Sequence, residues 1–251
     1  MKRTIVFFLA YFSLAVTFAQ YKETRKIANH HGISVATSLN AAYVESDRNE
    51  IVLESEKKDY LDLIITEIKN DVLTIRYKPN TSIRTSKPNK VTIYSNSKLK
   101  VLKATSSATL HVDAPITSSP VSIVANSSGK ISARHIKADN MDIEVTSSGK
   151  FDSHILASTA VIEASSSGKI SLAGKIDNST IDMSSSASLD LEKVTIKNLV
   201  CKGSSSAKLD ISTANTLKSN LSSSAKISYA TQPTQILENK TSSSGRLVKK
   251  S

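Results

Sequence analysis

The chain contains few residues of the kinds that cross-link or anchor a fold. It has one cysteine, no tryptophan, seven glycines and five prolines among 251 residues. A single cysteine excludes an intrachain disulfide framework, and the histidines carry no recognisable metal-ligand spacing. The fold must therefore depend on side-chain packing and backbone hydrogen bonds, and we expect neither a metal nor a cofactor.

Long apolar runs are equally scarce. The exception, Ile5 to Phe18, follows the basic pair Lys2-Arg3 and is too short to span a bilayer. Small residues at Thr17 and Ala19 suit a cleavage site. We predict that residues 1–19 are a signal peptide, that the mature chain has no transmembrane segment, and that the protein is exported to the periplasm, the outer surface or the medium.

The chain is basic, with a formal net charge of +11, which falls to +9 when Lys2 and Arg3 are removed. Such a surface suits anionic partners such as acidic glycans, lipopolysaccharide or nucleic acid, although solubility alone also accounts for it. Serine is abundant, and serine-rich composition is typical of flexible linkers. Apolar residues nevertheless recur at every second position through the serines, which argues against disorder.

A short phrase recurs eight times: two serines, then Gly or Ala, usually a basic residue, and a large apolar one. The copies are Ser106-Ser107-Ala108-Thr109-Leu110, Ser127-Ser128-Gly129-Lys130-Ile131, Ser147-Ser148-Gly149-Lys150-Phe151, Ser166-Ser167-Gly168-Lys169-Ile170, Ser185-Ser186-Ala187-Ser188-Leu189, Ser205-Ser206-Ala207-Lys208-Leu209, Ser223-Ser224-Ala225-Lys226-Ile227 and Ser243-Ser244-Gly245-Arg246-Leu247. Successive Gly/Ala positions are 21, 20, 19, 19, 20, 18 and 20 residues apart. A fixed period near 20 indicates a repeat architecture.

Apolar side chains alternate with polar ones around each phrase. The residue two after the Gly or Ala is large and apolar in all eight copies, and most positions six and eight before it, Leu237 among them, are apolar as well. Ser219 and Asn239 are polar exceptions. A period of two predicts strands whose alternate side chains point inward, and it excludes a helix.

One coil of such strands cannot bury its own interior, so the coils must stack. We predict an all-β fold, a right-handed single-stranded parallel β-helix (β-solenoid) with coils of about 20 residues. Residues 101–248 would form the regular β-helix with its eight repeats. Residues 20–100 would form an N-terminal β-rich cap with the first coils, and residues 249–251 a C-terminal tail.

The serine phrase predicts a tight corner of the coil. The Gly or Ala and the first serine are expected to point inward, where there is no room for larger side chains. Because Ala occupies four of the eight positions, lack of space explains the small residue better than a positive φ. The second serine would point outward. Its stacked hydroxyls resemble the arrays of ice-binding proteins, although those arrays usually use threonine.

The N-terminal section lacks the phrase but is rich in β-branched residues. Strands are predicted around Ile33 and Val35 and at residues 51–53, 61–68, 72–77 and 91–94, with a hairpin turn at Lys69-Asn70-Asp71. Residues 87–90 read as a loop. This section would cover the open edge of the first coil, and the charges of Lys249 and Lys250 would protect the other end.

These motifs together resemble the head GIN domain family (DUF2807), exported proteins common in Bacteroidetes and described as adhesins. The resemblance covers about residues 22 to 248 and rests on Arg25-Lys26-Ile27, Gly32-Ile33-Ser34-Val35, Asp71-Val72-Leu73-Thr74-Ile75 and the serine repeats. Ser34 replaces the Asn that gives the family its name. The resemblance implies a right-handed β-helix with a surface or envelope role and no catalytic residues.

The position after each Gly or Ala is the main candidate for function. It is basic in six copies: Lys130, Lys150, Lys169, Lys208, Lys226 and Arg246. Stacked coils would align these cations about 5 Å apart, in a row suited to acidic polysaccharide or cell-surface glycan. The alternative is a solvated wall that prevents aggregation. Asp152, Asp190 and Asp210, on the same face, are expected to offset part of the repulsion.

Other candidates are weaker. His135 and His154 are one coil apart and are expected to stack as surface histidines, and Cys201 occupies an inward position as a buried, inert thiol. No nucleophile-base pair, Gly-x-Ser-x-Gly elbow or phosphate loop is present.

The sequence thus favours an exported, non-enzymatic envelope β-helix acting as an adhesin or surface-interaction module, with no nucleic-acid partner. A structural or stress-related envelope module with no specific ligand is the alternative, and a polysaccharide-active enzyme is a third.

Overall fold

The computed structural model describes residues 20–85 and 88–250. The predicted signal peptide lies outside this range, as do Lys87 of the predicted loop and Ser251 of the predicted tail. Strands make up 63% of the structure and helix 2%, which confirms the all-β prediction. Within the described residues, no helix has the length and apolar character needed to cross a membrane.

The regular part is a parallel β-solenoid of about seven coils, the number of full circuits that eight corners delimit. Its strands are β8 (Val101–Ala104), β9 (Thr109–Val112), β10 (Ile116–Thr117), β11 (Val121–Ala125), β12 (Lys130–Val145), β13 (Lys150–Ala164), β14 (Lys169–Met183), β15 (Ser188–Gly203), β16 (Lys208–Ile211), β17 (Ala214–Leu221), β18 (Lys226–Tyr229), β19 (Gln235–Thr241) and β20 (Arg246–Lys249). Strands of successive coils pair in parallel.

Each coil has three walls, named here from β12. The first wall corresponds to residues 130–133, the second to 135–138 and the third to 140–145. A register irregularity between Ala133 and His135 marks the first bend. Asp139 has no strand partner and marks the second bend. The serine phrase forms the third corner, which closes the coil.

The interior is filled by the alternating apolar residues. Leu110, Ile131, Phe151, Ile170, Leu189, Leu209 and Ile227 are all at most 2% exposed. This row confirms the prediction from the period-two pattern. Ser219, the polar exception six before the small residue, is buried too, and its hydroxyl donates to the Asn239 side-chain oxygen at 2.8 Å.

The N-terminal section consists of β1 (Tyr21–Lys26), β2 (Gly32–Val35), β3 (Asn40–Glu45), β4 (Glu50–Ser55), α1 (Lys58–Leu61), β5 (Ile64–Lys69), β6 (Val72–Tyr77) and β7 (Lys90–Ser95). β2 lies between β6 and β8, and β3 lies between β7 and β9, all in parallel. Residues 32–45 are therefore a coil of the solenoid, and β6 and β7 form the layer beyond it.

Antiparallel strands cover the N-terminal end: β4 on β7, β1 on β4 and β5 on β6. The Arg25 side chain holds this cap together, because it donates to the carbonyl oxygens of Leu61 and Ile64 at 2.9 and 2.6 Å. The predicted strand over residues 61–68 is wrong at its start. Leu61 ends the short helix α1, and the strand begins at Ile64.

The C-terminal end departs from the sequence prediction. Leu237, predicted to point inward, is 59% exposed, because the register shifts between Leu217 and Lys218 where β17 pairs with β19. Asn239 is exposed as well. Within residues 88–250 no coil stacks on the outer side of this one, and its inward positions are not enclosed there.

Candidate functional site

The serine corner is a tight turn in which both serines are left-handed. In all eight copies φ is 46–51° at the first serine and 61–66° at the second. The residue after the serines donates its N–H to the carbonyl of the residue before them, as Gly129 does to Asn126 at 2.8 Å. Two positive φ values and this hydrogen bond define a type I′ turn, which usually contains Asn and Gly.

This geometry corrects the prediction of an inward serine. Ser127 and Ser128 are both exposed, as are the corresponding pairs in the other seven copies. The period of two does not continue through the turn, because two left-handed residues rotate the chain out of the strand pleat. The small residue after them has no positive φ, as predicted, and it is buried in seven copies and half-buried at Gly245 in the last.

The turns also bond to one another. The second serine of each turn donates its N–H to the carbonyl of the first serine in the next coil, at 2.8–2.9 Å. Thr37 and Ser38 are left-handed too, and Ser38 donates to the Ser106 carbonyl at 2.8 Å. This ninth turn does not stand out in the sequence, because Leu39 stands where the Gly or Ala would be.

The basic residues after the turn fall into register, as their spacing predicted. Lys130, Lys150 and Lys169 are aligned on three successive strands of the first wall, and Lys208, Lys226 and Arg246 on three later ones. Ser188 lies between the two groups. We call these six residues the lysine row. All are exposed except Lys226, which is half-buried.

Within the described part of the chain, none of these six cations forms an ion pair. The three carboxylates expected to offset them bond elsewhere. Asp152 accepts from the Ser132 hydroxyl, Asp190 from the Glu192 N–H, and Asp210 lies 3.2 Å from Lys250. By contrast, some lysines of the other walls are paired, as Lys175 is with Asp177.

Two other predicted features lie as the sequence indicated. The rings of His135 and His154 are in contact, with centroids 5.0 Å apart, although they are tilted by 46° rather than stacked face to face. Cys201 is buried, and burial, with a smaller contribution from Asp182, raises the pKa of its thiol far above the ordinary value. Among residues 20–85 and 88–250, no group of three or more His, Cys, Asp or Glu side chains is placed to hold a metal ion.

Comparison with known proteins gives one family. The family described as "Putative auto-transporter adhesin, head GIN domain" (DUF2807) matches residues 29–154 and 121–233, two overlapping stretches that span most of the chain. No curated protein matches the sequence.

Several solved structures share the fold. A crystal structure of a "putative lipid binding protein" from Parabacteroides distasonis has a TM-score of 0.80 at 20% identity, over 92% of this chain and 97% of that chain. A "putative adhesin" from the same species has a TM-score of 0.76 at 20% identity, over 92% and 97%. Another from Parabacteroides merdae has a TM-score of 0.79 at 16% identity, over 92% and 96%. At these identities the likeness concerns the fold alone.

Proposed function

Because the chain belongs to the head GIN domain family, we propose that it is an exported, non-enzymatic envelope protein that binds acidic polysaccharide or a cell-surface glycan through the lysine row. Family membership supports an adhesive, surface-exposed role. The lysine row supplies the contact surface, and the solenoid is the rigid scaffold that keeps its cations in register.

The observation that carries the proposal is that the row has no ion pairs among the described residues. An exposed lysine gains little from an intramolecular pair, but a row of unpaired cations of one sign attracts a polyanion. Within each group of three, consecutive cations lie on neighbouring strands, which are about 4.8 Å apart. A polymer with a charge on each sugar, lying along the solenoid axis, can therefore meet several of them at once.

The exposed serine pairs of the turns, which we call the serine ridge, run beside the lysine row on the same corner of the coil. Hydroxyls both donate and accept hydrogen bonds, as do the hydroxyls of a sugar. Three of these serines stand two positions before a cation of the row: Ser128 before Lys130, Ser148 before Lys150 and Ser167 before Lys169. A glycan bound along the row would meet cations on one side and hydroxyls on the other, which favours a carbohydrate polymer over a simple polyanion.

The test compares two variants with the same loss of charge. In the first, Lys130, Lys150, Lys169, Lys208 and Lys226 are changed to Gln. In the control, five exposed lysines outside the row, Lys103, Lys137, Lys175, Lys197 and Lys202, are changed to Gln. Binding to uronic-acid and neutral polysaccharides is measured at physiological salt, and we expect the first variant to lose on the order of tenfold in affinity and the control much less.

Other outcomes point to the alternatives. Equal effects of the two variants would indicate non-specific attraction to net charge, and no binding by the native protein would favour the structural envelope module. Shortening of the uronic-acid polymer during the assay would indicate an enzyme. Detection of the protein in periplasm, outer membrane or medium tests the export proposal, which a cytoplasmic location would contradict.

A further inference from the structure

A shallow groove of about 500 Å³ lies along the bend between the first and second walls. Its charged and imidazole side chains are His111, Asp113, Arg134, Asp152, His154 and Lys193. They come from β9 and the loop after it, and from β12, β13 and β15, while β14 contributes only uncharged residues. The groove therefore crosses five coils parallel to the solenoid axis, on the far side of the first wall from the serine ridge.

Three of the five histidines of the chain gather at this bend. His111 and His154 line the groove, and the His135 ring contacts the His154 ring in a tilted arrangement, with 5.0 Å between ring centroids. Gly174 in the next coil has a φ of 113°, and a Cβ there would lie 2.0 Å from the Ile155 carbonyl oxygen, so the backbones of the two coils approach closely beside the His154 ring. The imidazoles are thus held together by the register of the coils.

The charge of the groove depends on these imidazoles. Both carboxylates are engaged: Asp113 lies 2.9 Å from His111 Nε2, and Asp152 accepts from the Ser132 hydroxyl at 2.6 Å. While the histidines are neutral, Asp113 and Asp152 balance Arg134 and Lys193. A protonated imidazole is cationic, so protonation of His111 and His154 would add up to two positive charges to this neutral lining, and protonation of the neighbouring His135 would add a third beside it.

We propose that this groove is a second anion-binding subsite, which takes sulfate, phosphate or carboxylate groups of a glycan and does so more tightly when its histidines are protonated. The proposal rests on the proposed function in one respect: the same polymer would also meet the lysine row. His154 follows Lys150 on strand β13, only four residues further along the chain. The two sites can therefore share one ligand.

The experiment uses dextran sulfate, whose charge is constant across the range, with uncharged dextran as the blank. Binding is measured at about pH 7.5 and about pH 5.5 for the native protein, for the triple variant His111→Gln, His135→Gln, His154→Gln, and for the lysine-row variant. His31→Gln, which replaces an exposed histidine of the cap, is the matched control. Circular dichroism at both pH values shows whether each variant is folded. If the triple variant is not folded, the single variant His154→Gln replaces it in the comparison.

We expect the native protein and His31→Gln to bind dextran sulfate on the order of tenfold more tightly at the lower pH, and the triple variant to lose that gain but keep its binding at the higher pH. A gain that persists in the triple variant overturns the groove proposal alone. Binding only at low pH, abolished by the histidine changes but not by the lysine changes, supports the groove and overturns the lysine row. Absence of dextran sulfate binding by the native protein at both pH values overturns the groove proposal and the lysine-row proposal together.

Discussion

The backbone N–H of Ser148 donates to the carbonyl oxygen of Ser166 in the next coil at 2.9 Å. Both serines are left-handed, with φ of 62° and 49°. The same bond joins every neighbouring pair of the eight corners, so the turns form a continuous hydrogen-bonded edge. The repeated serines thus mark the sharpest bend of the backbone, where the chain turns from the third wall into the first.

The left-handed turn predicts how the serine pair responds to substitution. Asn and Gly adopt positive φ at lower cost than Ser, so Ser147→Asn with Ser148→Gly should raise the free energy of unfolding by about 1 kcal/mol. Ser148→Val should lower it by about 1–3 kcal/mol, since a β-branched residue resists this conformation. Urea denaturation measures both. If the first serine pointed inward, Ser147→Asn would instead lower the free energy of unfolding, because the larger Asn side chain would not fit in the interior.

A second prediction concerns how stability changes when the small residue after the turn is replaced. An added Cβ at Gly149 would lie 2.1 Å from the Ala125 carbonyl oxygen of the preceding coil. Gly149→Ala should therefore destabilise the protein by about 1–3 kcal/mol, because the coils must separate. The reverse change, Ala187→Gly, is the control and should cost about 0.5–1 kcal/mol. Thermal unfolding measures both, and an equal or smaller loss in Gly149→Ala would contradict the space argument.

The pairing of Arg25 with Glu23 should make the stability of the cap depend on pH. A hydrogen bond from Arg25 is the main reason that the pKa of Glu23 lies below its ordinary value. A lowered pKa means that the pair stabilises the fold above the unfolded-state pKa of Glu23, and that this stability is lost as the pH falls through the folded-state value. In Arg25→Gln, the Glu23 pKa should return toward the ordinary value, as followed by NMR titration of the carboxyl.

The same change should lower the free energy of unfolding by about 1–3 kcal/mol at neutral pH, since the carbonyls of Leu61 and Ile64 lose their donor. Lys22→Gln is a suitable control, because Lys22 is exposed and its Glu54 partner is 3.4 Å away. It should cost well under 1 kcal/mol. An unchanged Glu23 titration in Arg25→Gln would show that another group lowers its pKa.

Ser188 offers a gain-of-function test of the lysine row. It lies in register between Lys169 and Lys208 and is the gap between the two groups of cations. Ser188→Lys should tighten binding to a uronic-acid polymer by about fivefold, the effect of one added charge contact in water. Thr195→Lys adds the same charge on the exposed second wall and should have little effect. Equal gains in the two variants would show that position along the row is unimportant.

Much of the fold follows from the sequence. The spacing of 18–21 residues and the apolar alternation predicted a parallel solenoid, its inward rows and the alignment of Lys130 with Lys150 and Lys169. These features repeat in every coil, so one rule of periodicity predicts them all. The burial of Cys201 and the proximity of His135 and His154 follow from the same rule, since Cys201 falls on an inward position and the two histidines are paired across neighbouring coils.

The tertiary structure decided what periodicity does not encode. The outward direction of the first serine depends on left-handed dihedrals at both serines, and the turns that adopt them bond to each other across coils. Asp113, Arg134 and Lys193 stand five or six residues after the small residue of their coils, but it is the bend at this point that makes them line a groove. The unpaired state of the lysine row likewise depends on where Asp152 and Asp210 find their partners. Such contacts are set by side-chain geometry across coils, and no spacing within the chain records them.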